Sequence, residues 1–259
     1  MSSSIVAWTR EVPRVELLLF HILIALHIVT GATGAVAFWV PLLGRKGGPA
    51  HRRWGRLFNR CMIITGCLAM AMATLTLIAP MATHPHLEGR FDADFIRGIF
   101  GWMMLTTALL TVNLAWYGWL AVLNKRGGHA RNRTPLNMAL QHVLLVASVN
   151  CALQGWLIGQ PLMHGVAGIG VATAVTNLRF LRSEAPGPAY WLKEHVKALI
   201  GAGISVYTAF MAFGSVRILP ELALHPVMWA LPCATGIAVI LWHWRAVDRQ
   251  YAARRPAPA

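Results

Sequence analysis

Long apolar runs follow one another along this chain, and the charge collects in the short stretches between them. The runs cover residues 17–43, 61–82, 98–123, 136–160, 162–178, 198–216 and 226–244. A helix rises ~1.5 Å per residue and needs roughly 17–25 apolar residues to cross the hydrocarbon core of a bilayer. All of the runs reach that length, the fifth at the short end. The first and third are long enough to tilt or to project into water. They are continuous and lack the alternation of membrane β-strands. The pattern predicts an all-α fold: one transmembrane domain over 1–259, a bundle of seven helices with short loops.

Composition excludes the main competitors. Hydrophobic residues make up 56% of the 259 and charged residues 12%, against a usual charged share of roughly 25%. Mean hydropathy is +0.54. That leaves too little polar surface for a water-soluble globule, and too much apolar residue for a disordered chain. Cys61, Cys67, Cys151 and Cys233 lie in or beside apolar runs without a C-x-x-C pair, so they read as small hydrophobes and not as a disulfide framework.

The net charge of +14 matters through its placement. Eighteen of the 23 Lys and Arg fall after runs one, three, five and seven. Arg10, Arg14, Arg90, Arg97 and Arg217 fall on the other side. Basic residues mark the cytoplasmic side, which predicts an external N-terminus and a cytoplasmic C-terminus in a bacterial inner membrane. The expected partners are therefore the lipid bilayer and its anionic headgroups on the cytoplasmic face, at ~1 kcal/mol of attraction per basic residue. No nucleic acid is expected. A membrane-protein partner or a second copy of the chain is compatible with this surface. Ala35-Val36-Ala37 resembles a signal-peptidase site, but the apolar run continues to Leu43 and meets Arg45-Lys46, a stop-transfer pattern that predicts a retained helix. Arg45-Lys46-Gly47-Gly48 is echoed by Lys125-Arg126-Gly127-Gly128. Either a helical hairpin is duplicated or topology selects short basic turns twice.

No Asp, Glu, Lys or Arg falls deep in any predicted run, which counts against a pump built on buried carboxylates. Histidines and amides are the exceptions. His27 lies near the middle of run one and His21 two turns further out. His164 lies near the outer end of run five, His142 in the inner half of run four and His243 near the inner end of run seven. Depth alone sorts these into an outer tier, His21 with His164, and an inner tier, His142 with His243. Bis-imidazole ligation of haem b needs two histidines at equal depth on facing helices, so these five are haem or metal candidates. The alternative is that each ring satisfies a backbone carbonyl or reaches the interface. His84 and His86 flank Pro85 in an outer loop, as a two-histidine metal site or a solvated loop. Run four carries Gln141, His142, Ser148, Asn150 and Gln154. With Asn113 of run three, Asn150 and Gln154 either line a cavity or bind helix to helix. No nucleophile motif, catalytic carboxylate pair or phosphate loop is present, and run seven has no lysine for a retinal Schiff base.

Two stretches carry a family likeness. The first is His27-x-x-x-Gly31, Gly34-Ala35 and Lys46-Gly47-Gly48-Pro49-Ala50-His51-Arg52-Arg53-Trp54-Gly55-Arg56. The second is Trp191-Leu192-Lys193-Glu194-His195, Gly201-x-Gly203 and Tyr207-Thr208-Ala209-Phe210, with Leu231-Pro232 further on. Together they resemble the multi-pass bacterial membrane proteins of the DUF2306-like family. The resemblance implies an integral membrane protein and directs attention to His27, His51 and His195. In that family an acidic residue is expected just before the arginine that closes run five. Here Asn177-Leu178-Arg179 carries an amide.

His51, Arg52, Arg53 and Arg56 read as one basic cytoplasmic loop, and His195 as the entry to run six at the same membrane level. If the two imidazoles come within ~10 Å, one bound group bridges them. His51, Arg52, Arg56 and His195 are therefore the candidate ligand-binding set, for an anionic headgroup, a phosphate-bearing ligand or a haem propionate. The neighbouring arginines disfavour protonated imidazole and so favour a neutral ring. Two functions remain open: a binding, transport or assembly factor, and a haem- or metal-binding redox protein.

Overall fold

The computed structural model describes residues 3–125, 128–214 and 225–253, with side chains from residue 15 onward. Arg126, Arg217, Arg254 and Arg255, the end of predicted run six, and the side chains of Arg10 and Arg14 lie outside the described residues. Among the described residues the chain is all-helical.

Its long helices are α1 (Ser3–Leu43), α2 (Pro49–Ile78), α3 (Ala93–Leu123), α4 (Pro135–Leu157), α5 (Pro161–Arg182), α6 (Tyr190–Gly214) and α7 (Pro226–Ala252). Six are long and apolar enough to cross a membrane: α1 over Val15–Leu43, α2, α3, α4, α6 and α7. The remaining helix, α5, has 22 residues, but His164, Asn177 and its glycines dilute its apolar character. These helices make the chain an integral, multi-pass membrane protein.

Local chemistry fixes the helix starts. Pro49, Pro135, Pro161 and Pro226 occupy first-turn positions, where the missing N–H is not needed and φ is already set. Thr134 caps α4 by accepting from Asn137 N at 3.2 Å, and Asp92 caps α3 by accepting from Phe95 N at 2.7 Å. Gly159, at φ +64°, turns the chain from α4 into α5.

Two starts differ from the sequence expectation. Helix α2 begins at Pro49 and α6 at Tyr190, well before the apolar runs at 61 and 198. The His51–Arg56 stretch is thus two helical turns and not a loop, and Glu194 and His195 also sit on a helix. Hydropathy reports where a helix meets lipid. It is blind to polar turns that extend the same helix into the interface.

Helices α2, α3 and α6 form the centre. Helix α1 lies on α2, α4 on α3, α5 on α4, and α7 on α6. Phe38, Phe58, Met62, Tyr117, Leu144 and Leu181 anchor the main core. The crossings are close because small residues allow it. A methyl group on Gly203 of α6 would sit 2.5 Å from the Phe38 ring of α1. One on Gly118 of α3 would sit 2.9 Å from the Ala198 side chain of α6. Tyr207 donates to the Ala35 carbonyl at 2.9 Å and ties α6 to α1 again. Away from the basic end, α3 widens to a π-helix over Arg97–Met103 and α6 over Phe210–Gly214. Phe100 and Phe213 meet there, ring centres 6.4 Å apart.

Candidate functional site at the basic end of the bundle

The last turn of α1 leaves carbonyls without helical partners. Lys46 donates to two of them, Pro41 O at 3.0 Å and Leu42 O. His51, in the first turn of α2, meets the same Pro41 oxygen through Nδ1 at 3.1 Å. On the other side, His195 of α6 reaches across to α3 and meets Gly118 O through Nδ1, also at 3.1 Å. A carbonyl can only accept, so Nδ1 carries the hydrogen in both rings. The Nε2 of each neutral ring is then a lone pair. Neither Nε2 is among the buried polar atoms left without a partner, and both residues are partly exposed.

The two histidines lie within electrostatic reach of each other, and Lys125 lies within reach of His195. Lys46 acts in the same way on His51 and on His243. Lys125 stands over the Trp191 ring, 5.5 Å from its centre. Two other lysines at this end are neutralised: Lys193 by Asp248 at 2.6 Å and Lys197 by Glu194 at 2.5 Å. Among the described residues, Lys46 and Lys125 have no carboxylate partner. Arg52, Arg53 and Arg56 are exposed on the first turns of α2. The end of the bundle therefore holds two imidazoles amid uncompensated positive charge.

A buried ionic cluster one turn away escaped the sequence reading. Glu194, 8% exposed, accepts from the Tyr117 hydroxyl at 2.6 Å and pairs with Lys197, whose ammonium stands over the Tyr117 ring. The pair lies in the first two turns of α6, ahead of the apolar run that begins at residue 198, because the helix starts earlier than that run. The Glu194/Lys197 spacing, followed at once by Ala198, Gly201 and Ala202, was the available signal.

The other histidines are dispersed. His27 bonds through Nδ1 to Thr65 O at 3.1 Å, and Thr65 donates to the Thr30 hydroxyl at 2.8 Å, so this set fastens α1 to α2. His142 is exposed and bonds to Met138 O of its own helix at 2.7 Å. His21 is exposed, and His243 is half-buried beside Trp242. His164 borders an open apolar groove of about 700 Å³ between α4 and α5. Among the described residues α1 shares no extensive packed interface with α5, nor α4 with α7, so the helices that carry each tier are not neighbours. Equal depth does not put two helices side by side.

The amides bind helices to each other. Asn177 of α5 donates to Gln141 Oε1 at 3.0 Å and to Asn113 Oδ1 at 3.3 Å. Gln141 continues to Asn137, and Asn137 to Asn132 O. Asn113, Gln141 and Asn177 are fully buried, with Asn113 Nδ2 and Asn177 Oδ1 left unpartnered. Asn150 and Gln154 are half-buried, and neither lines the groove.

At the opposite end, His84 is buried against Phe20 and Phe100, with ring centres at 5.2 and 4.5 Å, and His86 lies beside it. Burial first, then the His86 charge, hold its pKa down at about 4, against a smaller opposing effect of the Pro80 backbone. This histidine is packed and neutral, not solvated. Among the described residues no group of three His, Cys, Asp or Glu is placed to hold a metal ion. Comparison with family models, curated proteins and solved structures finds no match.

Proposed function

We propose that this chain is a bacterial inner-membrane protein of the DUF2306-like kind. In this reading all of α1 to α7 cross the bilayer, with the N-terminus outside and the C-terminus in the cytoplasm. Its role is to bind an anionic, membrane-borne group at its cytoplasmic end, as a binding, transport or assembly factor. Lys46 and Lys125, without carboxylate partners around His51 and His195, carry this reading. An anion there gains from both charges in a medium far less polarisable than water. The exposed Arg52 and Arg56 draw anionic headgroups toward it. The polar turns of α2 and α6 that hold these residues are where a spanning helix meets the headgroup layer.

The test is thermal unfolding of the purified chain in neutral detergent with added phosphatidylglycerol or phosphatidylcholine. Phosphatidylglycerol is expected to raise Tm more, and Lys125→Gln to shrink the difference. Equal shifts from the two lipids would overturn the reading.

A further inference from the structure

Two histidines stand together at the end of the bundle opposite the basic one, and an anion site at the basic end makes no use of them. His84 and His86 flank Pro85 in the connection between α2 and α3. Their ring centres are 5.9 Å apart, with the planes tilted by 40°. His84 is buried, its ring packed against Phe100 at 4.5 Å and Phe20 at 5.2 Å. Phe100 belongs to the π-helical turn of α3, a departure from the regular helix that recurs at functional sites. The Thr83 hydroxyl is 3.1 Å from both Ala79 O and Pro80 O, which only accept, so its hydrogen goes to them. Nδ1 of His84, 3.0 Å from the same hydroxyl oxygen, is then the donor, and Nε2 keeps the lone pair. A metal-ligating imidazole is fixed in this way, its other nitrogen bonded so that tautomer and ring orientation are set. His86 is the opposite. It is exposed, makes no side-chain hydrogen bond among the described residues, and is free to turn a nitrogen toward its neighbour.

We infer that His84 Nε2 and a ring nitrogen of His86 form a two-ligand site for monovalent copper, Cu(I). At a metal–nitrogen distance of about 2 Å each ring centre stands about 3.2 Å from the ion, so two imidazoles on one ion lie about 5.2 Å apart at the tetrahedral angle and about 6.4 Å apart when opposed. The observed 5.9 Å falls between these, on the open side of tetrahedral. Such an angle suits an ion that is satisfied by few ligands. Closed-shell Cu(I) accepts two, and imidazole is a usual ligand for copper. Zn(II) takes about four, and among the described residues no third His, Cys, Asp or Glu completes a group. The site lies away from the anion-binding end and does not depend on that reading.

The probe is Cu(I) held by the coloured chelator bathocuproine disulfonate, mixed anaerobically under ascorbate with the purified full-length chain in detergent. Every protein carries Cys67→Ser, which removes the exposed thiol. The chain is expected to withdraw one Cu(I) from the chelator, and the X-ray absorption of the bound copper to show two nitrogen neighbours with imidazole scattering. His86→Ala should weaken Cu(I) binding by at least about tenfold, with Tm unchanged because the side chain is exposed. His84→Phe should weaken it as much, and the double variant should be no weaker than the worse single, since either loss leaves one ligand. If His84→Phe proves unstable, His86→Ala decides alone. His142→Ala, at an exposed histidine elsewhere, should change nothing. Failure to withdraw Cu(I), full retention in His86→Ala, or a spectrum dominated by sulfur neighbours overturns the inference.

Discussion

Tyr117 of α3 donates its hydroxyl hydrogen to Glu194 of α6 at 2.6 Å, in the same contact where Lys197 neutralises that carboxylate. The three groups form a closed unit. Removing the acid alone strands a partly buried ammonium and an unpaired hydroxyl, and losing one partner of a buried pair costs up to about 3–5 kcal/mol, less where water reaches the remaining charge. Glu194→Ala should therefore lower Tm sharply in detergent. Glu194→Ala with Lys197→Met should recover much of the loss, because the stranded charge is gone. A double variant as unstable as the single would show that the pair is not the source.

Asn177 joins α5 to α3 and α4 through bonds that no other side chain replaces. Asn177→Leu leaves Gln141 Oε1 and Asn113 Oδ1 without their donor in a fully buried place. Each abandoned polar group costs about 1–3 kcal/mol. Combining it with Asn113→Leu should cost less than the sum, since one abandoned group disappears. Urea titration of the detergent-solubilised protein reads both effects.

The Gly203–Phe38 approach leaves no room for a side chain. Gly203→Val should destabilise by about 1–3 kcal/mol through overpacking. Phe38→Ala in the same chain should return part of it, measured as Tm. Full additivity would mean that the valine clashes elsewhere.

His84 supplies a pH dependence of defined sign. Folded, it titrates at about 4, below its ordinary 6.5. Between those values the unfolded chain binds a proton that the folded chain refuses. Stability should therefore fall as pH is lowered through that window, and this contribution should be flat above it. His84→Phe, which keeps a ring between Phe20 and Phe100, should flatten that part of the Tm–pH curve. An unchanged slope would assign the effect to other groups.

Orientation has a direct readout. A reporter fused after Ala259 is expected in the cytoplasm, and one inserted near His86 outside. An external C-terminus would remove either the crossing of α5 or the direction of the whole bundle.

The helices were legible in the sequence because lipid contact demands continuous apolar runs, as at residues 98–123 within α3. Their polar extensions were not, since nothing in hydropathy marks Pro49–Arg60 or Tyr190–Lys197 as helical. Among the site residues, His51 and His195 stood out through residue type and motif. Glu194, Lys197 and Tyr117 did not, because a pair counted as loop charge gives no hint that it is buried. The histidine tiers rest on depth, which is one coordinate; the order of helices around the bundle is a second that a single sequence does not contain.

The weak apolarity of α5 has a consequence for how the chain is made. The insertion machinery weighs each segment before tertiary contacts exist, and every polar residue at the helix centre counts against entry. Helix α5 gains the partners of Asn177 only from α3 and α4, which precede it from the ribosome. Ile158–Gln160 is the whole connection between α4 and α5. If α5 crosses the bilayer as proposed, so short a connection would have it enter together with α4, and changes in Gln141 or Asn113 are then expected to appear first as a defect in α5 insertion, ahead of any loss in the mature protein.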